Sequence, residues 1–567
     1  MKLALCWHMH QPYYRDELHG HYRLPWVYLH AMKDYSDMAW HLEQHPDMKV
    51  TVNFAPVLLE QLIDYARQID SFLQHGEPMA DHLLNLLAGA VPIPKNSLER
   101  SKIIIDCQRC NESTMIDPWP EFRALVDYAE ALTKDSTKNI EALPYFSKQY
   151  FYDLLTWYHL TWLGHGFRQE KTAQRLIKKA RHFNADDRGE LLELIRECLD
   201  GIIPRYRALA ESGQIELSMT PWGHPIIPLL HDFDNMACSQ PDDRRPKEKK
   251  YPGGKERSRW HMKHGLEVFE SCFGNKPDGV WLSEGSISHD ALELLDEFNI
   301  KWTASGESVW LNSARLSKLD EDQISSKRGL FRPYQDDALK CRMFFRDDGL
   351  SDLIGFEYRN WNTEDAVANF SMHISNIAKF LGEDADDSVI SVIMDGENAW
   401  EYFPDNAFRF LDRLYTEIET SKDIEAVTFN EVVGKLPPVK MDRICPGSWV
   451  FGTFSTWIGS KEKNRAWDLL VEAKHCFDHA MSGSRLSDLQ KEQATRQLAI
   501  CEGSDWFWWF GEYNASESVQ DFDRLYRRQL RMLYQLLGLL PPSSLDIPIS
   551  RGNLNGMGES GTMRRNI

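Results

Sequence analysis

Residues 388–400 read SVISVIMDGENAW: a β-branched apolar run that stops abruptly at Asp395, Gly396 and Glu397. A short Val/Ile-rich segment ending on polar and small residues has the pattern of a buried strand that meets a functional or turning edge. Similar runs recur along the chain. Lys2 to Trp7 leads into HMHQPYYRD, Thr51 to Phe54 is TVNF, and Gln214 to Met219 (QIELSM) leads into TPWGHPIIPLL. Gly279 to Leu282 (GVWL) stops at Ser283 and Glu284, and KWTAS (301–305) and 343–345 are further short runs. Helical spacing fills the intervals at 57–72, 259–273, 289–298, 364–382 and 405–421. Strands alternating with helices predict a mainly parallel α/β sheet or barrel.

In that class the C-terminal strand ends form the active face, which places His8, His10, Glu216, Glu284, Asp395 and Glu397 as candidates to converge there. A single strand-end carboxylate is more often a turn former or helix cap. Glu284 and Asp395 stand out because each follows a strongly apolar run and lies near a tryptophan, Trp281 and Trp400. A carboxylate pair beside aromatic rings suits glycoside cleavage, in which one acid must be ionised and the other must deliver a proton. Burial against a ring raises one pKa, while hydrogen bonds or positive charge hold the other down. The chain carries 19 Trp, 20 Tyr and 27 Phe, densest in SDWFWWFGEY (504–513). Flat rings are platforms for the apolar faces of sugars, although most rings in any chain belong to the core.

The remaining segments set the organisation. From 80 to 212 the pattern is mainly helical, with a possible strand at 103–105 and a loop at 115–120. A charged loop spans 241–258, helix-compatible sequence fills 465–537, and 541–567 is a Pro, Ser and Gly-rich tail expected to be disordered. The 567 residues carry 65 Lys plus Arg against 85 Asp plus Glu, a net charge of −20. That balance disfavours a phosphate backbone or an anionic membrane surface as partner. No stretch approaches the ~20 apolar residues of a membrane span. The N-terminal segment does not read as a signal peptide, so a cytoplasmic location is expected. The ten Cys are scattered, and the CQRC pair (Cys107, Cys110) lacks the second pair of a four-thiolate zinc site, which predicts reduced thiols. His8 and His10 share one side of a strand, yet the further ligands available, His224, His231 and Asp232, have no diagnostic metal spacing. No metal and no cofactor are expected.

Five blocks in order resemble glycoside hydrolase family 57: HMHQPYY (8–14), GQIELSMTPWGHPIIPLL (213–230), GVWLSEGSIS (279–288), VIMDGENAWEYF (392–403) and GSWVFGTFSTWIGSKEKNRAWDLL (447–470). With EGSDWFWWFGE (502–512), they look most like the α-amylase and amylopullulanase branch, and less like the branching enzymes. The resemblance implies a retaining enzyme of α-glucans, with Glu284 as nucleophile and Asp395 as general acid/base. It implies substrate contacts at His8, His10, Glu216 and Trp281, and further contacts at His224 and Trp457. Ser283 stands where many members have Pro. The implied fold is a distorted (β/α)7 barrel over about 1–440, with a helical insertion at about 54–212. A helical domain would follow at about 441–540. Three activities follow: an α-1,4-glucan hydrolase, a 4-α-glucanotransferase or amylopullulanase on the same site, or an inactive glucan-binding protein.

Overall fold

In the computed structural model, which describes residues 1–17, 19–133 and 142–553, the apolar runs become the staves of a barrel. The strands are β1 (Lys2–Met9), β2 (Val50–Phe54), β3 (Ile215–Met219), β4 (Trp302–Ser305), β5 (Arg342–Phe345) and β6 (Val389–Asp395). β1 runs parallel to β6 on one side and to β2 on the other, and β2 pairs with β3. β4 and β5 form a second parallel pair. The segment 279–282 joins the two sheets, with Gly279 bridged to Trp302 and Val280 to Met219. It is the seventh stave, extended but short, because the chain turns sharply at Glu284 (φ +59°). On the other side, Asp347 N–H donates to Ser391 O at 2.8 Å, linking the end of β5 to β6. The fold is a (β/α)7 barrel.

Period-two alternation sorts each strand between two cores. Ala4 and Cys6 point into the barrel with Trp281, Trp302, Ala304, Phe344 and Ile393, while Leu3, Leu5, Trp7 and Met9 pack outward against helices. Phe429 and Val432, from the helix Phe429–Lys435, close the floor. Between β2 and β3 the chain is helical, from α1 (Pro56–His75) to α2 (Ala185–Glu211), and these two helices pack together. α3 (Gly254–Phe273) precedes the seventh stave. The C-terminal region consists of α4 (Lys461–Ser482), α5 (Asp488–Cys501), the short α6 (Asp505–Trp509) and α7 (Ser516–Leu536).

Three expectations are corrected. Residues 103–105 lie in the helix Ser97–Asp106, not a strand. The Asn96 side chain caps that helix, and Ile103 and Ile104 sit with Arg100 on its buried face while Ile105 is exposed. The segment 541–553 is packed rather than loose: Leu545 and Ile549 are buried, and Ile549 N–H donates to Asp523 Oδ1 at 2.6 Å. The rest of the expected tail, 554–567, lies outside the described residues. Cys238 and Cys445 form a disulfide across 207 residues of sequence, a separation that no local pattern reveals, while the other eight cysteines are free. Cys107 and Cys110 are buried, and burial raises both thiol pKa values. Among the described residues, no helix is long and apolar enough to cross a membrane.

The join between the sheets depends on one glycine. A Cβ on Gly279 would fall 1.9 Å from the Trp302 ring, which cannot slide because its Nε1–H is held by Glu216 Oε1 at 2.6 Å. Gly279→Ala should therefore lower stability by about 1–3 kcal/mol, as overpacked cores do, measured by urea unfolding. An unchanged midpoint would refute this account of the join.

Candidate active site

The pairing register puts four polar residues on one rung at the barrel mouth: Asp395 opposite His8, His8 opposite Asn53, and Asn53 opposite Ser218. Asn53 organises the rung. Its Nδ2 donates to Ser218 Oγ at 3.0 Å, and its Oδ1 accepts from Thr220 Oγ1 at 2.9 Å and from His8 Nδ1 at 2.7 Å. The His8 proton is thereby fixed on Nδ1, leaving Nε2 as an acceptor. Burial, reinforced by the charge of His10, lowers the His8 pKa to about 3, so the ring is neutral. His10 and His224 stack with centroids 3.8 Å apart. His10 Nε2 meets Asp505 Oδ1 at 2.8 Å, and His224 Nδ1 meets Ser504 Oγ at 2.8 Å. His224 Nε2 is buried with no hydrogen-bond partner among the described residues.

Glu284 occupies a left-handed conformation (φ +59°, ψ +26°) that costs a non-glycine residue free energy and persists only where the surroundings enforce it. Trp449 enforces it twice: its backbone N–H donates to Glu284 O at 3.0 Å, and its indole N–H donates to Oε2 at 2.9 Å. Ser305 Oγ also donates to Gly285 O at 2.5 Å. Ser283 is fully buried, and its hydroxyl has no hydrogen-bond partner among the described residues. The Glu284 carboxyl is pushed up to about 8, first by burial and then by the charge of Asp395. Asp395 is itself raised to about 6 by burial, opposed by the 2.8 Å hydrogen bond from Asn398 and by the charges of His10 and Arg346. Both carboxyls are thus shifted toward the protonated form, Glu284 by the charge of Asp395 as well as by burial.

Beside Asp395 opens a cavity of about 380 Å³, walled by Arg346, Tyr402, Trp449, Phe451 and Trp508. Phe451 is 61% exposed and takes a left-handed conformation at the rim. Arg346 follows β5 and is tied to Ile393 O at 2.7 Å, Asp348 at 2.6 Å and Asp352 at 2.8 Å, so its charge is fixed below the Trp449 ring. Glu397 is buried near Asp395. Burial and then the charges of Asp395 and Asp34 raise its pKa well above the usual range.

The structure brings His8, His10, His224, Glu284 and Asp395 together. Trp281 lies fully buried between His8 and Trp449, with ring centroids 6.4 and 5.1 Å away. Glu216 is not brought to the mouth. It pairs with Thr51, two positions below the polar rung, and accepts from Trp302 Nε1, the Asn430 N–H at 2.9 Å and the Thr51 hydroxyl at 3.3 Å. Trp457 is fully buried behind Trp508 and does not wall the cavity. Glu397, a strand-end candidate, lies buried beside Asp395 as expected. Sequence reading missed Trp449, Arg346, Ser504 and Asp505 as site residues, although Trp449 lay in a quoted block and Ser504 and Asp505 at the head of the Trp-dense segment.

His10, His224 and Asp505 could hold a cation by proximity, with one ligand atom of each within 4.8 Å of the others. The ring geometry opposes it. Nearly parallel stacked imidazoles, 14° apart, point their lone pairs side by side rather than at a common centre.

The family model described as Glycosyl hydrolase family 57 matches residues 4–445. A search of curated proteins returned no match. Among solved structures, the chain is similar to a GH57-type branching enzyme from Pyrococcus horikoshii (16% identity, TM-score 0.55, covering 95% of this chain and 94% of that one). It is also similar to the α-amylase AmyC from Thermotoga maritima (14%, 0.56, 96% and 95%). A third is the 4-α-glucanotransferase from Thermococcus litoralis (14%, 0.51, 96% and 60%). At these identities the likeness is one of fold. The chain belongs to glycosyl hydrolase family 57.

The raised Glu284 pKa has a stability consequence with a definite sign. An acid at 4.5 when exposed and about 8 when folded leaves the protein progressively less stable as pH rises from about 4.5 to 8. Glu284→Gln removes that loss. The variant should be more stable than the parent at pH 9, by on the order of 1–4 kcal/mol, and should match it below about pH 4.5. Thermal midpoints across this range provide the check, and coincident curves would contradict the assigned environment.

Proposed function

We propose that this family 57 member is a retaining glycoside hydrolase of α-1,4-glucans that works by double displacement. The observation carrying this reading is the pair Glu284 and Asp395 at the barrel mouth, both raised by burial and Glu284 further by the charge of Asp395, beside an aromatic-walled cavity. Asp395 protonates the glycosidic oxygen while Glu284 attacks the anomeric carbon. Water then enters with Asp395 as base. In the free site the proton rests on Glu284, whose pKa is the higher. A bound substrate reverses that order. The glycosidic oxygen accepts a hydrogen bond from Asp395, and positive charge growing at the anomeric carbon stabilises the Glu284 anion. The Trp449 indole N–H keeps that anion hydrogen-bonded. Neutral His8 offers Nε2 to a sugar hydroxyl, and the unpartnered His224 Nε2 awaits a similar contact.

Transfer to a sugar acceptor is the second reading, and Phe451 favours it. An exposed ring at the rim, close to Trp508, offers an acceptor sugar a face to stack on while water is displaced. The three structural neighbours named above are an α-amylase, a 4-α-glucanotransferase and a branching enzyme, so this site's balance between water and acceptor decides the product.

Glu284→Gln and Asp395→Asn should each lower kcat on maltoheptaose by at least ~10³, a barrier change of ~4 kcal/mol. On an aryl glycoside whose leaving group needs no proton, Asp395→Asn should recover much of the cleavage rate while Glu284→Gln stays inactive. Chromatography of the maltoheptaose products separates the readings. Only shorter oligosaccharides mean hydrolysis, and a ladder above the starting length means transfer. Either variant within about tenfold of the parent would sink the role given to that residue.

A further inference from the structure

We propose a second ligand site, for a phosphorylated small molecule, on the outer face of α7. A groove of about 280 Å³ there is lined by Arg524, Arg527, Arg528 and Arg531 with Asp16 and His19. In a chain of net charge −20, four guanidinium groups facing one carboxylate form a basic island. Two of them are already satisfied. Arg527 holds Asp523 at 2.6 Å, and Arg531 is paired with Asp546. The other two are not. Arg524 is exposed and makes no ion pair among the described residues, and Arg528 reaches only Asp16, at 3.5 Å. Asp16 is already shared with Arg23 at 2.6 Å and His19 at 3.0 Å. Burial, then the like charges of Arg23, Arg524 and Arg527, lowers the Arg528 pKa despite Asp16, so the cluster is short of negative charge.

A phosphomonoester dianion between Arg524 and Arg528 supplies that charge, since guanidinium forks match phosphate oxygens. The same two arginines also line an adjoining cavity of about 690 Å³ that runs past Leu24, Met79 and Val91. Its own cations Lys102 and Arg109 are balanced by Asp106 and Asp521, among other acids. The phosphate therefore belongs in the arginine groove and the uncharged body of the ligand in the larger cavity. This site lies apart from the barrel mouth and does not depend on the proposed glucan chemistry.

The test is titration of the full-length protein with inorganic phosphate and with glucose 6-phosphate, at constant ionic strength set by chloride, followed by calorimetry and thermal midpoint. Both probes should bind saturably and raise the midpoint. Arg524→Gln, which removes an exposed side chain without an ion pair, and Arg528→Gln should each weaken binding about tenfold or more. Circular dichroism and maltoheptaose turnover should stay as in the parent. No saturable binding below about 10 mM, or binding that survives the double variant, would overturn the proposal.

Discussion

The assembly of the site depends on one buried carboxylate, Glu502. It caps the C-terminal end of α5 and accepts hydrogen bonds from Tyr251 Oη at 2.6 Å, Arg257 Nε at 2.8 Å and His261 Nε2 at 2.9 Å. These partners hold its pKa at about 2 against the upward pull of burial. Arg257 and His261 belong to α3, on the barrel side, so Glu502 fastens the C-terminal helices to the barrel. Because His261 Nε2 donates to Glu502, its Nδ1 is free to accept, and it takes the Gly223 N–H at 3.2 Å. Two residues past Glu502, Ser504 N–H reaches His224 O at 2.9 Å while its hydroxyl meets the His224 ring. The loop 221–224 is thus held from both sides. Gly223 suits this close approach, as a Cβ there would crowd Ala499 O and His261 Cε1 at 3.0 Å. A buried ion pair is weak support for stability by itself, but breaking one side leaves an uncompensated charge costing about 3–5 kcal/mol. Its chief effect here is positional.

The mouth of the barrel is, by contrast, electrostatically and conformationally costly. Three carboxyls, on Glu284, Asp395 and Glu397, are raised by burial in one small volume. Glu284, His224 and Phe451 all adopt left-handed backbone conformations around it. A surface loop would relax such strain. The rung of Asn53, the rigid stave at 279–282 and the double hold of Trp449 on Glu284 prevent it. The stability given up here holds a raised-pKa acid pair in place, as the proposed double displacement would require.

The parallel strands and the residues at their ends were legible because both signals are local. An apolar run ends, and the next carboxylate or imidazole marks the rim; His8, Glu284 and Asp395 all obey this rule. Glu216 obeys it in sequence and fails in space, because QIELSM places it second in its strand rather than at the end, on the Thr51 level rather than the His8 level. Trp457 and Trp449 share one aromatic block, and nothing in the spacing tells which ring faces the cavity and which the core. The Cys238–Cys445 bond and the Asp505–His10 contact join residues hundreds of positions apart, and a single sequence carries no record of such pairings.

The family match ends at residue 445, yet the site does not. Trp449 holds the carboxylate and the backbone of Glu284, Ser504 and Asp505 orient His224 and His10, and Trp508 walls the cavity. The barrel supplies both acids but leaves their surroundings incomplete: without these four residues, Glu284 loses its indole donor and two imidazoles lose their partners. The C-terminal region therefore completes the candidate site at the barrel mouth. Under the proposed mechanism, the choice between water and a sugar acceptor would fall to the segment 445–510, since it carries Phe451 and Trp508 to the cavity wall.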